Sequence, residues 1–515
     1  MYKSRDVQAE DSGPEGPAGQ CLVEITFRST AAAPSVFVGG SFNDFSPTAT
    51  PLVDDGTGTY RAALWLEPGV YPYKLIVEGD GEEPWRLDPN NPYRAYFEGT
   101  ENSGLRVPDC FVPRFEPIDS SVTGDAAQAT FRYVRGREGR APGDWLPTAE
   151  VRTGRALSAA TVTMEGDVAT VEASGLGTGK HGLTVRYAEE PAALAPLWVE
   201  RTRFEWEDAL VYVVMPDRFN NGEPGNDPAP TDASAGADYE GGDLQGLRDT
   251  IEAGYFENIG VNTLWVTPWH EGPPNAHLAA DDFHRVTGYH GYWPTDPFVV
   301  DVRFGGEEAL HEMIEAAHRH GIRVLMDLVA NHVHEDHPYV ADHPEWFNQL
   351  DDGGCVCGTP ECDWTARRLD CLFRPYMPDV DWTNLEAQEQ ILEDAMVWLE
   401  DYDLDGFRVD AVKHVPDAVV FNLRARVAER FEAAGTPYFL MGETAMGWDG
   451  SSGPDAGGNP ENYGTIARYI GEDALDGQFD FVLYYAASLQ FLQDTPSRGM
   501  AHIDFWTHAS LDRFG

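Results

Sequence analysis

From about residue 204 to residue 515, short apolar runs alternate with longer helical patterns. The apolar runs have the length of strands, whereas segments such as 307–320 and 385–401 repeat apolar residues at helical spacing. This alternation is typical of a parallel sheet covered by helices, and it predicts an α/β fold of the (β/α)8 TIM-barrel type. The predicted strands are 210–215, 261–266, 322–329, 407–410, 438–442 and 479–484.

The barrel predicted over 204–515 is incomplete, because about six strands are found where eight are needed to close it. We therefore expect the sequence to be truncated and the native reading frame to continue beyond residue 515. Segment 333–380 interrupts the alternation after the third strand with Gly, His, Cys and Asp, and it predicts an inserted loop domain.

Two stretches ahead of the barrel predict small β-sandwich domains, at 21–110 and 111–203, because short runs alternate apolar and polar residues between turn residues. The strands predicted for the first are 23–27, 35–38, 60–66 and 71–77. Those predicted for the second are 129–134, 159–164, 168–173 and 182–187. Residues 1–20 are rich in Gly, Pro and acidic residues without periodicity, so they are predicted to be disordered.

The chain is strongly acidic, since 86 Asp and Glu against 36 Lys and Arg give a formal charge of −50. Such a field repels polyanions, so nucleic acids and anionic membranes are excluded as partners. No apolar run reaches the roughly 18 residues that a membrane-spanning helix needs. Lysine is scarce, and Lys74 and Lys413 lie within recognisable motifs.

The six cysteines bear on the compartment. Cys21 and Cys110 bracket the first predicted sandwich, and an even count favours disulfides and an oxidising, extracellular or periplasmic location. Residues 1–20 nevertheless contain no hydrophobic stretch of the kind a signal peptide has. Four thiolates also suffice for a structural Zn²⁺ site, which is the alternative for the cluster in the insertion. That cluster consists of Cys355, Cys357, Cys362 and Cys371.

Charged side chains end two of the predicted strands. Arg408 and Asp410 are two residues apart and therefore point the same way from one strand, and Glu443 ends the next strand along the chain. An arginine so close favours the anionic form of the aspartate, as a nucleophile requires. Two carboxylates on neighbouring strand ends are the arrangement of a retaining glycoside hydrolase, with the carboxyl groups roughly 5–5.5 Å apart. The alternative is a buried structural ion pair.

Five motifs in consistent order resemble those of the alpha-amylase superfamily, glycoside hydrolase family 13, in its neopullulanase-like and cyclodextrin-active members. They lie at 288–293, 326–332, 378–381, 406–415 and 442–444. The resemblance implies that Asp410 is the nucleophile, that Arg408 orients it and that Glu443 is the general acid/base. The remaining residues are implied to contact the sugar or the nucleophile's arginine: His290, Tyr292, Asp327, His332, Lys413 and His414.

The same resemblance implies two Ca²⁺ sites. The first would use Asn331, Asp379 and the carbonyl of His414. The second lies near the first barrel strand, where oxygen donors of the kind Ca²⁺ prefers are concentrated, although a solvated acidic loop is the alternative. Its implied ligands are Asn221, Glu223, Asn226, Asp227 and Asp243.

Turns and aromatic residues over about 30–107 resemble a glycogen-binding domain of carbohydrate-binding module family 48. The resemblance implies a glucan platform made by Lys74, Trp85 and Asn102. Phe45 stands where the family often has its first tryptophan, so the stacking area for a sugar is smaller. A purely structural module is the alternative.

The family's third acid follows its seventh strand in a His-Asp pair, and no such pair follows Glu443 here. The predicted function is that of a retaining hydrolase acting on an α-glucan such as starch, glycogen, maltooligosaccharides or pullulan. A glucanotransferase or branching enzyme is the alternative of the same family. A non-catalytic glucan-binding protein, or a scaffold for a Zn²⁺-dependent binding feature, is the alternative from another class.

Overall fold

The structure is a computed structural model that describes residues 16–28, 34–79, 81, 83–137, 139, 141, 145–188, 190–350, 353–491 and 498–514. Of the predicted disordered segment 1–20, residues 1–15 lie outside the described residues. In the part of the chain that is described, no helix combines the length and the apolar character needed to cross a bilayer.

Described residues between 21 and 107 form two facing antiparallel sheets. Alternate residues of the first strand, Val23, Ile25 and Phe27, are buried between the sheets, as the predicted sandwich requires. One sheet has the order β1-β4-β3 and the other β2-β5-β8-β7, with β6 paired to β5. The strands are β1 Cys21–Arg28, β2 Ser35–Gly40, β3 Val53–Asp54, β4 Thr59–Leu66, β5 Gly69–Glu78, β6 Trp85–Arg86, β7 Arg94–Phe97 and β8 Thr100–Val107.

A second pair of antiparallel sheets follows, in the orders β13-β14-β10-β9 and β12-β11-β15-β16. The single strand predicted over 159–164 is wrong, because the chain leaves one sheet at Ala159 and enters the other at Thr161. The strands are β9 Arg114–Thr123, β10 Ala126–Val134, β11 Thr148–Thr153, β12 Ala156–Ala159, β13 Thr161–Glu165, β14 Val168–Ser174, β15 Gly179–Arg186 and β16 Ala193–Val199.

The rest of the chain is built on a curled sheet of six parallel strands in the order β17-β18-β21-β26-β27-β28, which confirms the predicted partial barrel. Among the described residues no strand pairing joins the two edge strands. The strands of this region are β17 Val211–Val214, β18 Thr263–Val266, β19 His277–Leu278, β20 Arg285–Val286, β21 Arg323–Leu328, β22 Phe347–Asn348, β23 Cys355–Val356, β24 Cys371–Leu372, β25 Asp379–Val380, β26 Gly406–Val409, β27 Phe439–Gly442 and β28 Gly477–Gln478.

Helices lie between and after these strands, and the two longest predicted ones agree with the structure to within one residue at each end. They are α1 Leu244–Glu252, α2 Tyr255–Asn258, α3 Gly306–Arg319, α4 Pro338–Asp342, α5 Leu385–Asp401, α6 Asp417–Val427, α7 Asn459–Ala467, α8 Phe481–Phe491 and α9 Met500–Phe514.

The sixth strand was predicted in the wrong place. The strand is β28, and most of 479–484 belongs to helix α8. Asp480 explains the difference, because its Oδ1 accepts a hydrogen bond from the Leu483 amide at 2.8 Å and its carbonyl accepts one from Tyr484 at 2.9 Å. An aspartate in this position starts a helix, and the aromatic run that follows it has no polar residue to indicate the helical period.

The insertion contains short paired strands held together by disulfides. Cys355 is bonded to Cys362 and Cys357 to Cys371, while Cys21 is bonded to Cys110 across the first sandwich. The predicted disulfides are therefore confirmed. The Zn²⁺ alternative for the cysteine cluster is wrong, because its four sulfurs bond to one another.

A buried ion pair joins the second sheet pair to the barrel sheet. Lys180 on β15 places its Nζ 2.9 Å from Oδ1 of Asp405, the residue that precedes β26, and 2.7 Å from the carbonyl of Leu404. Nε2 of His318 lies 3.0 Å from the other oxygen of Asp405. Burial alone would raise the pKa of Asp405, but Lys180 and His318 outweigh burial and lower it.

Candidate active site

Three neighbouring parallel strands bring the predicted carboxylates together. Asp327 on β21 pairs in register with Arg408 on β26, and Arg408 pairs with Met441 on β27. Asp410 and Glu443 each follow the end of their strand. Ala411 then takes a φ of +49°, a left-handed conformation that a residue with a Cβ adopts only under constraint. The chain therefore turns away directly after Asp410, which leaves the carboxylate at the carboxyl-terminal edge of the sheet.

Arg408 contacts all three acids. Its Nη1 donates to Oδ1 of Asp327 and to Oδ1 of Asp410, both at 2.7 Å, and its Nη2 donates to Oε2 of Glu443 at 2.5 Å. The guanidinium is buried, yet its pKa is raised because the acids around it outweigh the cost of burial. Its position is further set by the ring of Trp265 on β18, 4.7 Å away.

Asp327 is held by two more donors. Nε1 of Trp265 and the hydroxyl of Tyr292 donate to its Oδ2 at 2.7 and 2.8 Å. Asp327 is fully buried and binds Arg408 from behind the open face of the site. Trp265 was not predicted as a site residue, although its place near the end of the second strand was a signal that it faces the barrel interior.

Burial decides the ionisation of Asp410. It raises the pKa of Asp410 to about 8, and the nearby acids Asp327 and Glu443 add to that effect while Arg408 opposes it. The expectation that Arg408 keeps this pKa low is thus wrong for the substrate-free site, because removal from water outweighs one guanidinium. Asp410 and Glu443 are in hydrogen-bond contact, and this contact adds to the rise in the pKa of Asp410.

Three predicted histidines line the site in the neutral form, because burial lowers the pKa of each to about 4. Nδ1 of His290 accepts a hydrogen bond from the Tyr292 amide at 3.0 Å, so its proton lies on Nε2. Nε2 of His332 lies 3.0 Å from the carbonyl of Tyr292, and Nδ1 of His414 lies 3.0 Å from the carbonyl of Arg368. Each ring therefore has one nitrogen engaged in positioning it.

The insertion packs directly on the lysine side of the site. Lys413 is buried, and burial together with nearby Arg368 lowers its pKa. The ring of Phe373 lies 4.8 Å from that of His414 and stacks on Trp364 at 5.6 Å. Phe373 and Trp364 were not predicted as site residues, because only the folded insertion brings them to His414.

The first predicted cation site contains groups that fit Ca²⁺. Oδ1 of Asn331 is buried and has no hydrogen-bond partner among the described residues. Asp379 pairs with the neighbouring His332, and burial raises its pKa well above the usual range, while the Asn348 amide at 3.0 Å opposes this. An orphaned amide oxygen beside a buried carboxylate is a donor set that a hard cation satisfies. The third predicted ligand is the carbonyl of His414, and the ring of His414 contacts Phe373, as does that of His332.

The residues of the second predicted cation site lie in the loop that precedes helix α1. Asp243 accepts amide hydrogen bonds with both oxygens, from Gly246 at 2.7 Å and Glu223 at 2.9 Å, and so caps helix α1. Nδ2 of Asn221 lies 2.8 Å from Oδ1 of Asp227. Oδ1 of Asn226 is buried without a partner among the described residues. The loop thus offers oxygens to a cation, although Asp243 already has a structural role.

The predicted glucan platform lies on the outer face of the β2-β5-β8-β7 sheet. Lys74 on β5 pairs with Gly39 on β2. The Trp85 ring packs directly against Gly39, so closely that a Cβ atom at residue 39 would lie 2.8 Å from the ring. Asn102 is on the same face but buried, with its amide donating to the Thr100 carbonyl at 2.7 Å. Phe45 contacts Phe97 at 4.9 Å, and the latter, 41% exposed, was not predicted.

Comparison with known families gives two matches. Residues 213–353 and 359–439 match the family model for the catalytic domain of alpha-amylase. Residues 23–111 match the model for the glycogen recognition site of AMP-activated protein kinase.

Individual relatives are similar over part of their length. A cyclomaltodextrin glucanotransferase of Bacillus sp. (strain 1-1) is 28% identical over 289 residues, which cover 52% of this chain and 38% of the relative. A cyclomaltodextrinase of Bacillus sp. is 30% identical over 238 residues, 43% of this chain and 37% of the relative. The crystal structure of an alpha-amylase from Geobacillus thermoleovorans with acarbose is 25% identical, with a TM-score of 0.45 over 59% of this chain and 58% of that one. The chain thus spans less than two-fifths of the length of these two curated relatives.

The raised pKa of Asp410 predicts a pH-dependent stability. An aspartate in the unfolded chain titrates near 3.9, so the folded site holds more protons than the unfolded chain between about pH 4 and 8. The free energy of unfolding therefore falls as the pH rises through this window. In Asp410→Asn this contribution is absent, so the difference in thermal midpoint between about pH 5 and pH 8 narrows. The exposed control Asp208→Asn keeps the wild-type difference, and an unchanged difference in Asp410→Asn would contradict the prediction.

Proposed function

Since the chain carries a catalytic domain of the alpha-amylase family, we propose that it is a retaining glycoside hydrolase acting on α-glucans. The observation that carries the proposal is the contact of one buried guanidinium, that of Arg408, with the carboxylates of Asp410 and Glu443 on adjacent strand ends. A structural ion pair needs only one acid. Two acids on adjacent strand ends can supply the nucleophile and the proton donor that double displacement requires.

The proposed reaction starts from the form of the substrate complex in which Asp410 is ionised and Glu443 carries the proton. Asp410 then attacks the anomeric carbon while Glu443 gives its proton to the departing glycosidic oxygen. A glycosyl ester forms at Asp410 as the glycosidic bond breaks. Glu443, now anionic, takes a proton from the incoming water, which attacks the same carbon and releases Asp410. Arg408 holds Asp410 in line for the attack, and Asp327 fixes Arg408.

Substrate contacts are proposed for the residues around this pair. The Nε2–H of His290 is free to donate to a sugar hydroxyl, because its Nδ1 is engaged by the backbone. The ring of Tyr292 offers a stacking face beside it. We infer that Lys413, His332 and His414 contact the neighbouring sugar on the side of the insertion.

A glucanotransferase is the second candidate, because it requires only that a sugar hydroxyl replace the attacking water. The similarity to a cyclomaltodextrin glucanotransferase supports it.

The formal charge of −50 is compatible with a neutral polymer as substrate. Three disulfides support an oxidising location, extracellular or periplasmic.

Two Ca²⁺ ions are proposed as structural partners. Asn331, Asp379 and the His414 carbonyl would hold one, and a cation there would neutralise the buried carboxylate between the insertion and β21. The loop residues would hold the other near helix α1: Asn221, Glu223, Asn226, Asp227 and Asp243. Each bound ion would supply positive charge that attracts these oxygen atoms and so stabilises the loop that carries them.

Glu443→Gln tests the assignment of the acid. Starch hydrolysis is expected to fall by about 10²–10⁴-fold, because the leaving oxygen is no longer protonated. Fluoride release in the first turnover of α-maltosyl fluoride should be largely spared, since fluoride leaves without a proton and only the later hydrolysis of the glycosyl ester needs Glu443 as base. Asp410→Asn should lose both activities, and the exposed control Glu472→Gln should lose neither. A first-turnover release of fluoride that falls as much as starch hydrolysis in Glu443→Gln would contradict its role.

Calcium content tests the two cation sites separately. After gentle purification the chain is expected to contain two calcium equivalents by plasma emission spectrometry. Asp379→Asn and Asp227→Asn should each contain one, and chelation should lower the thermal midpoint of the wild type more than that of either variant. Calcium-free wild-type protein would exclude both sites.

Affinity electrophoresis in glycogen tests the platform. Trp85→Ala and Phe97→Ala are each expected to weaken retardation about two- to tenfold, which corresponds to the loss of one aromatic stacking contact. Tyr255→Ala, which removes an exposed ring from the barrel helix α2, is the matched control and should migrate as wild type. Wild-type migration unaffected by glycogen would favour a purely structural module.

A further inference from the structure

Two histidines meet beside the β19–β20 hairpin, outside the residues assigned to the reaction. His277 lies on β19 and His334 follows β21, and their Nε2 atoms are 3.2 Å apart. Glu335 offers a carboxylate oxygen, and these three ligand atoms lie within 4.8 Å of one another. We propose that the three side chains bind a divalent transition-metal ion of the Zn²⁺ class.

The spacing of the nitrogens suits such an ion. Two imidazoles bound to Zn²⁺ at 2.0–2.1 Å in tetrahedral geometry have their nitrogens roughly 3.3 Å apart, so the observed pair needs little movement. Two histidines and one carboxylate form a borderline-soft donor set with a fourth position left for water. Ca²⁺ is disfavoured because it prefers an all-oxygen shell.

A histidine bound to a metal through one ring nitrogen usually donates a hydrogen bond from the other, and Asp336 is placed to accept it from His334. Its Oδ2 is 3.4 Å from Nδ1 of His334, and its backbone amide donates to the same nitrogen at 3.1 Å. In the metal-free pair the amide bond leaves the His334 proton on Nε2, where it faces His277. Metal binding at Nε2 moves the proton to Nδ1, which breaks the hydrogen bond from the Asp336 amide and gives the Asp336 carboxylate the role of acceptor, so the ring stays neutral.

The location indicates what the ion does. The ring of His277 lies 4.5 Å from Tyr376 and 5.6 Å from Trp293, and Trp293 lies 4.6 Å from His290. The proposed site is therefore one aromatic layer behind the proposed sugar contacts. A bound ion fastens the hairpin to the segment after β21, and the exposed Glu335 gives it access from solvent.

Titration of the calcium-saturated full chain with Co²⁺ tests the site. Excess Ca²⁺ occupies oxygen sites, and four-coordinate Co²⁺ absorbs visible light far more strongly than six-coordinate Co²⁺. We expect one equivalent with the strong band, its loss in His277→Gln and Glu335→Gln, and about 10–100-fold weaker binding in Asp336→Asn. His284→Gln, an exposed histidine on the same hairpin, keeps the wild-type titration.

The variants are chosen to remain folded. Glutamine at 277 still accepts a hydrogen bond from His334, and Glu335 is exposed, so its substitution disturbs no core contact. A wild-type chain without the strong band, or a band retained in both His277→Gln and Glu335→Gln, overturns the site and leaves a hydrogen-bonded pair of neutral rings. The readout does not involve glucan cleavage and so stands apart from the proposed activity.

Discussion

A single buried arginine organises the centre of this molecule. Arg408 contacts carboxylates from three adjacent strands, and none of them has another cation within hydrogen-bond distance among the described residues. Three acids so close would repel one another in a low-dielectric site, and without the guanidinium the burial of Asp327 would be costly. The parallel register of β21, β26 and β27 is what brings these groups to one edge, so sheet geometry and charge balance depend on each other.

The parts around this centre limit how it can move. Trp265 covers the guanidinium, Tyr292 holds Asp327, and neutral histidines surround the opening with one ring nitrogen already bonded. The insertion contributes Phe373 and Trp364 to the same wall, and two disulfides stabilise the loops that carry them. Polar groups that are already oriented before substrate arrives need little reorganisation during the reaction.

Strand ends and motif spacing predicted much of this site, because parallel strands place their carboxyl ends on one side whatever lies between them. The misplaced strand at 479–484 shows a limit of periodicity, since Asp480 starts a helix within an all-apolar run. The ionisation of Asp410 shows another limit, because burial depends on the whole fold and cannot be read from the neighbouring Arg408 alone. Phe97 and Trp364 were missed because their neighbours are distant in the chain.

The ion pair of Lys180 and Asp405 has a consequence for how the chain can be divided. Strand β26 has Asp405 immediately before it and Asp410 immediately after it, so the second sandwich touches the base of the strand whose top carries the proposed nucleophile. A fragment that begins at residue 204 would expose Asp405 and lack Lys180, its cationic partner in the second sandwich. The second sandwich therefore cannot be exchanged without removing this ion pair. In a chimaeric protein, the junction is best placed before the second sandwich, so that Lys180 and Asp405 come from the same parent.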